Sequence, residues 1–209
     1  VSAVDGFLNQ ALQSLSQNGV KVFLAKTGEE AISFIISETK GEKLVVKSKS
    51  NVTKEIKLVE ALEAEGIQVI ETDIGDRIIQ LCQDRPSHST GPASHLTRYD
   101  IAWTLSKHFN QKVEPVSERL TELIREEVSA YITEAGIGIT GANAVTSEEG
   151  AIVLVHNEGN IVKVAMQPRL MIVAGVDKIY PNLEEALNMA KLQIFYATGS
   201  LITSSEANS

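Results

Sequence analysis

A single cysteine, Cys82, is all the thiol this chain has. That excludes a disulfide within the chain, a CxxC zinc site and a cysteine-ligated cluster, and it fits a reducing, cytoplasmic compartment. Histidine is scarce as well. Of the four present, only His88 and His95 lie near one another, at a spacing that matches no standard metal motif, so no metal site is expected. Long apolar runs are missing: the longest, such as Leu170 to Val176, are strand-sized, far short of the roughly 18 residues a membrane span needs. Basic residues are outnumbered, 19 Lys and Arg against 27 Asp and Glu, for a net charge of −8. Such a surface repels a phosphate backbone, which excludes nonspecific nucleic-acid binding. No positively charged n-region follows Val1, so no signal peptide is expected. The missing initiator Met and the polar close over 201–209 read as a trimmed tail or linker of a longer product.

What is present is ordinary for a globular protein: 43% hydrophobic and 22% charged residues over 209 positions, enough for one good core. Val4, Phe7, Leu8, Ala11, Leu12 and Leu15 fall at helical spacing, closed by Asn18 and Gly19. Val20 to Leu24 reads as a strand, and Thr27 caps a helix over about 28–39. A strand at 43–46, a helix at 52–65 stopped by Gly66, and a strand at 67–71 continue the alternation. Such βαβ units imply a mostly parallel sheet. After a loop over 84–92 come helices at 94–109 and 116–134, a helical middle segment that reads as a lid or edge lobe, with Trp103 as core. Strands return at 137–139, 152–157 and 169–176, before a last helix at 183–196. One α/β domain over 1–200 is the economical reading.

The most informative stretch runs from Leu44 to Ile56. A short buried strand empties into Lys47-Ser-Lys-Ser50, and a helix then starts with Asn51 or Thr53 as candidate N-cap. Lys47, Ser48, Lys49, Ser50 and Thr53 thus gather at the carboxyl end of a strand, where open α/β sheets bind ligands. A second stretch, Gly136 to Gly150, has G-x-G-x-x-G spacing but continues into a polar segment rather than a phosphate-facing helix. Thr140, Gly141, Asn143, Thr146 and Glu148 supply donors, a close-approach position and one carboxylate. Asn157-Glu158-Gly-Asn160 is first a turn, yet it also follows a strand, which makes Asn157 and Glu158 candidates for ligand contact. His88, His95 and Arg98 could hold a carboxylate at the rim of the same pocket.

Read together, these segments resemble the LUD domain of lactate-utilisation proteins, most closely the B-type. The matching pieces include Val45-Val-Lys-Ser-Lys-Ser50 with Thr53-Lys-Glu-Ile56, Glu71-Thr-Asp-Ile-Gly75, Pro86-Ser-His88, Pro92-Ala93, His95 and Thr97-Arg98. Further on come Gly138-Ile-Thr-Gly-Ala-Asn143, Glu148, Gly150, Val153-Leu-Val155, Asn157-Glu-Gly-Asn160, Pro181 and Leu183-Glu184. The match runs from about residue 7 to 199. It implies a Rossmann-like sheet of the NagB/RpiA/CoA-transferase-like type. It also implies a part in oxidising L-lactate to pyruvate within an iron–sulfur electron-transfer complex. In B-type proteins a ferredoxin-like, cysteine-rich region follows the domain. This chain has none of those cysteines, so the clusters are expected in a missing C-terminal region or a partner. The segment Gln167-Pro-Arg-Leu170 departs from the Pro-rich, His-containing form expected of relatives.

The leading expectation is therefore a domain that binds a small anionic substrate and docks onto other lactate-utilisation subunits, with homo-oligomerisation left open. His88 or His95 is the candidate base for the hydroxyl proton, since imidazole titrates at roughly 6.5. One alternative is CoA-transferase-like acyl chemistry, with Glu148 in Ser147-Glu-Glu-Gly150 as the nucleophile. Another is a noncatalytic docking module that binds its siblings through the helices of 94–134.

Overall fold

The computed structural model describes residues 3–88, 91–156 and 159–198. The chain opens with α1 (Ala3–Gln17) and α2 (Gly28–Glu38). Thr27 caps α2 as expected, its hydroxyl accepting from the Glu30 N–H at 3.2 Å. There follow β1 (Leu44–Lys47), α3 (Asn51–Glu55), α4 (Leu58–Ala64), β2 (Gln68–Glu71) and α5 (Ile74–Cys82). Helices α6 (Arg98–His108) and α7 (Ser117–Glu134) lead to β3 (Ile137–Gly141), β4 (Ala144–Thr146) and β5 (Ile152–Val153). The chain closes with α8 (Asn160–Ala165), β6 (Arg169–Val173), a 3-10 turn at Val176–Lys178, β7 (Ile179–Tyr180) and α9 (Leu183–Thr198). Among the described residues no helix is long and apolar enough to cross a membrane.

The main sheet has the order β2-β1-β3-β6, and every pair in it is parallel. This is the Rossmann-like α/β arrangement that the alternating strands and helices predict. Side chains alternate between its faces. Val45, Val69, Ile137 and Ile139 pack with Ile35 of α2 and with Leu58 and Leu62 of α4. Val46 and Ile70 turn the other way, onto Leu105 of α6 and Leu120, Ile124 and Val128 of α7. The middle helices are therefore the layer that covers this face, not a lid above it. Each fully buried Leu or Ile contributes about 1.5–3 kcal/mol, which explains why the apolar stretches of these strands occupy the centre.

Gln80 closes one margin of the sheet. Its amide donates to the Val69 carbonyl at 2.6 Å and accepts from the Glu71 N–H at 3.3 Å. Both groups face away from β1, so the side chain stands in for the peptide of a further strand. A second, small sheet of order β5-β4-β7 packs on α1 through Ala11, Leu15 and Val145. Ser14 and Ser147 fasten the two, Ser14 Oγ donating to the Ser147 carbonyl at 2.7 Å and Ser147 Oγ to that of Phe7 at 2.9 Å.

The structure departs from the sequence reading at definite points. Residues 20–24 form no strand, and Val20, Phe23 and Leu24 are exposed. Phe23 stacks on Phe34 at 4.2 Å and Lys21 bonds to Glu38, so side chains on α2 hold this segment instead of a strand ladder. The helix expected over 52–65 breaks at Lys57, whose φ of 55° is left-handed, and its cap is Ser50 rather than Asn51 or Thr53. Helix α6 starts only at Arg98, where Thr97 and Asp100 form a capping box. The strand expected over 152–157 shortens to two residues of the small sheet. Trp103 is 62% exposed, not core, with the Lys107 ammonium 3.5 Å above its ring.

Two glycines carry opposite expectations. A Cβ at Gly138 would overlap the backbone carbonyl of Val164, where α8 lies against β3, whereas one at Gly6 in α1 meets nothing within 4 Å. Denaturant titration should show Gly138→Ala losing about 1–3 kcal/mol and Gly6→Ala gaining about 0.5–1 kcal/mol. Equal effects would contradict the packing of α8 on β3.

Candidate functional site

Strand order reverses between β1 and β3: the chain leaves β1 toward β2 on one side, while β6 lies on the far side of β3. The loops after β1 and β3 therefore part and leave a crevice beyond the carboxyl ends of the strands. That crevice is a cleft of about 740 Å³. Lys49 and Ser50 enter it from the β1 loop, and Thr140, Gly141 and Asn143 from the end of β3. Asp73 stands on the third side, Asn160 and Ile161 at the start of α8, and Asp177 and Lys178 on the turn after β6.

The polar groups here are held in place by one another. Ser48 Oγ and Thr140 Oγ1 lie 2.6 Å apart, joining the ends of β1 and β3 below the cleft. Ser50 Oγ accepts from the Thr53 N–H at 3.4 Å, and Thr53 Oγ1 donates back to the Ser50 carbonyl at 3.0 Å. A Cβ on Gly141 would come within 2.6 Å of Ser50 Oγ, so this close approach of β3 to the loop needs glycine. Asn143 accepts from the Val155 N–H at 2.8 Å and donates to Gln193 at 3.2 Å, tying the small sheet and α9 to the wall. Asn160 donates to the Thr72 carbonyl at 3.3 Å. The Lys178 ammonium bonds to Asp177 at 2.8 Å and holds that carboxyl below its usual range.

Of the residues named from sequence, Lys49, Ser50, Thr140, Gly141 and Asn143 come together around the cleft. Lys47, Ser48 and Thr53 are buried behind it instead. Lys47 is fully enclosed, its ammonium 2.8 and 3.0 Å from the two carboxylate oxygens of Glu71 and 3.2 Å from the Ser48 carbonyl. Burial pushes the Glu71 carboxyl above its ordinary value, and the adjoining Lys47 ammonium pulls it back. A second pair, Lys54 with Asp76 at 2.6 Å, adjoins the first, with Lys54 lowering and Asp76 raising Glu71.

The remaining candidates are elsewhere. His88 and Arg98 are exposed and His95 bonds to Asp84 at 3.0 Å, which holds the Asp84 carboxyl low; none of the three lines the cleft. Glu148 sits exposed on the turn between β4 and β5, also off the cleft, its N–H donating to the Pro181 carbonyl at 3.0 Å. Asn157 and Glu158 lie outside the described residues; Val155 and Asn160, on either side of them, line the wall. Sequence reasoning met Asn160 only as the end of a turn and missed Glu55, Asp73, Asp177, Lys178 and Gln193. Asp73 and Asp177 each follow a strand that the sequence did reveal, so the carboxyl-end rule that singled out Lys49 would have found them. Gln193, inside a helix, carried no such signal.

A family model described as the LUD domain matches residues 8–207. The chain is 37% identical over 97% of its length to an "Uncharacterized electron transport protein YkgF" of Escherichia coli strain K12. It is 38% identical over 96% of its length to "Lactate utilization protein B" of Oceanobacillus iheyensis, and equally so to the protein of that name from Exiguobacterium. In each case the chain spans 43% of the relative's own length. No solved structure matches it.

The buried Lys47–Glu71 pair has a measurable signature. Lys47→Met leaves a carboxylate without its partner and should cost roughly 3–5 kcal/mol. Replacing both, as Lys47→Met with Glu71→Leu, should restore most of that. With the ammonium gone, the folded-state pKa of Glu71 rises further above the unfolded value of about 4.3. The protonated carboxyl is then tolerated below that pH, and stability falls as pH rises through the raised pKa. The deficit of Lys47→Met measured by chemical denaturation should thus be smaller in acid than near neutrality; a deficit that grows in acid would refute the pairing.

Proposed function

The chain belongs to the LUD domain family, and from that premise we propose that it is the ligand-holding domain of a lactate-utilisation protein. In this reading it takes part in L-lactate oxidation to pyruvate and binds the acid in the cleft at the strand carboxyl ends. The observation that supports it is the meeting of Lys49, Ser50, Thr140 and Asn143 at the point where strand order reverses. Ammonium, hydroxyl and amide groups there match the carboxylate and hydroxyl of a 2-hydroxy acid. Carboxylates of Glu55, Asp73 and Asp177 border the same space and are candidates to receive a hydroxyl proton. The names of the relatives, lactate utilization protein B and an electron transport protein, point the same way.

The residues of this chain do not fit a cubane iron–sulfur cluster. Such a cluster takes four thiolates, and the chain has Cys82 alone, half-buried with its thiol 3.4 Å from Thr104 Oγ1. Electrons from lactate would pass to centres held by another part of the assembly.

A docking role with sibling subunits is supported by a separate observation. Tyr99 and Trp103 stand one turn apart on α6, 60% and 62% exposed. Arg98 lies 5.2 Å above the first ring and Lys107 3.5 Å above the second. Exposed aromatic and arginine side chains of this kind are where binding energy concentrates at interfaces.

Two measurements separate these roles. Calorimetric titration should detect L-lactate binding, and Lys49→Met should weaken it about tenfold, the loss of one charge-assisted hydrogen bond. An unchanged affinity would remove the cleft from the reading. Tyr99→Ala with Trp103→Ala should weaken association with the other lactate-utilisation subunits at least roughly tenfold without lowering Tm; unaltered association would sink the docking face.

A further inference from the structure

The cleft has room for more than the acid proposed above. L-lactate has six non-hydrogen atoms, and even at the roughly 30 Å³ each that a water occupies in the liquid they fill only about 180 Å³. The space is about 740 Å³, in the range of sites that enclose drug-sized ligands. Its lining divides by chemistry. The ammoniums of Lys49 and Lys178, the carboxylates of Glu55, Asp73 and Asp177 and the neutral groups of Ser50, Thr140 and Asn143 present polar atoms, while Val52, Ile56, Leu154, Val155, Ile161 and Val176 present aliphatic ones. The first five of those aliphatic side chains are half-buried, and Val176 is 54% exposed on the turn after β6. None of the described lining residues is aromatic, so the wall offers no stacking surface for a flat ring. It suits a flexible chain of methylenes.

We infer that the ligand of this cleft is an acid with an aliphatic body, a 2-hydroxy or related carboxylic acid several carbons longer than lactate. Its head lies at Lys49 and Asn143 and its chain against Ile161 and Val176. This rests on the reading of the cleft as the acid site and refines which acid it takes.

The test compares two probes, L-lactate and 2-hydroxyoctanoate, by calorimetric titration of the protein. Each buried methylene contributes about 0.8 kcal/mol, roughly fourfold in affinity. Burying two of the five added methylenes is therefore enough for the longer acid to bind at least tenfold more tightly, with a stoichiometry of one. Ile161→Asn and Val176→Asn should each pull that affinity ratio toward one. Met166→Asn, on a side chain exposed outside the cleft, should leave it in place. Val176 is on the surface, so its variant should fold even if the Ile161 variant does not. Equal affinities for the two acids, or a ratio that neither wall variant alters, would overturn the inference and leave lactate binding standing. Binding of 2-hydroxyoctanoate with none of L-lactate would support the inference and overturn lactate as the ligand. No binding of either acid would overturn both.

Discussion

Two hydroxyls 2.6 Å apart, Ser48 Oγ and Thr140 Oγ1, mark the constraint on which this site depends. β1 and β3 must run side by side in parallel while the chain that follows each turns to opposite sides of the sheet. The strand ends are thereby buried before the chain can reach solvent, and every polar group enclosed there needs a partner. The four-residue run from Lys47 to Ser50 divides accordingly. Lys47 and Ser48 point to opposite faces and are satisfied inside, by Glu71 and Thr140. Lys49 and Ser50 emerge at the cleft. A run that reads as one ligand-facing loop is half foundation and half wall.

That division explains which parts of the molecule were legible in the sequence. Strand and helix alternation depends on local apolar periodicity, so the central strands and the long helices could be read directly. Whether Lys47 faces outward depends on Glu71, a residue on the neighbouring strand, and no local pattern records that meeting. The same holds for Val20 to Leu24, whose side chains have strand propensity but whose backbone finds no ladder among the described residues. The two-residue strands β5 and β7 are too short for any periodicity to show. Trp103 differs for a related reason: indole is usually buried, but here the ring stands exposed with the Lys107 ammonium 3.5 Å from it. Family likeness supplied the broad role, and the spacing of residues supplied the strand-end location. The cleft's depth and its aliphatic wall came only from the folded chain, because they join residues from both ends of the sequence.

A second buried network holds the layer opposite α2 and α4. Arg77 of α5 grips Glu127 of α7 through two nitrogens, at 2.6 and 3.2 Å, and bonds to Gln80 at 2.6 Å. His108 at the end of α6 reaches the same Glu127 oxygen at 2.6 Å, and Arg77 lies 5.7 Å from the Tyr131 ring. Three helices are thus cross-linked by one carboxylate, and the arginine also positions the glutamine that meets β2. Charge on α5 is in this way coupled to the geometry of a strand margin.

That margin has a consequence for how such molecules could assemble. A polymer built by adding strand to strand needs two receptive borders on each unit, one to accept and one to offer. Here the outward Val69 carbonyl and Glu71 N–H of β2 are already taken by the Gln80 amide, while β6 forms the opposite rim of the main sheet. Two molecules joined through β6 would use up the remaining border of the main sheet. Growth of a fibre through the main sheet therefore ends at a pair, and one glutamine side chain sets the limit.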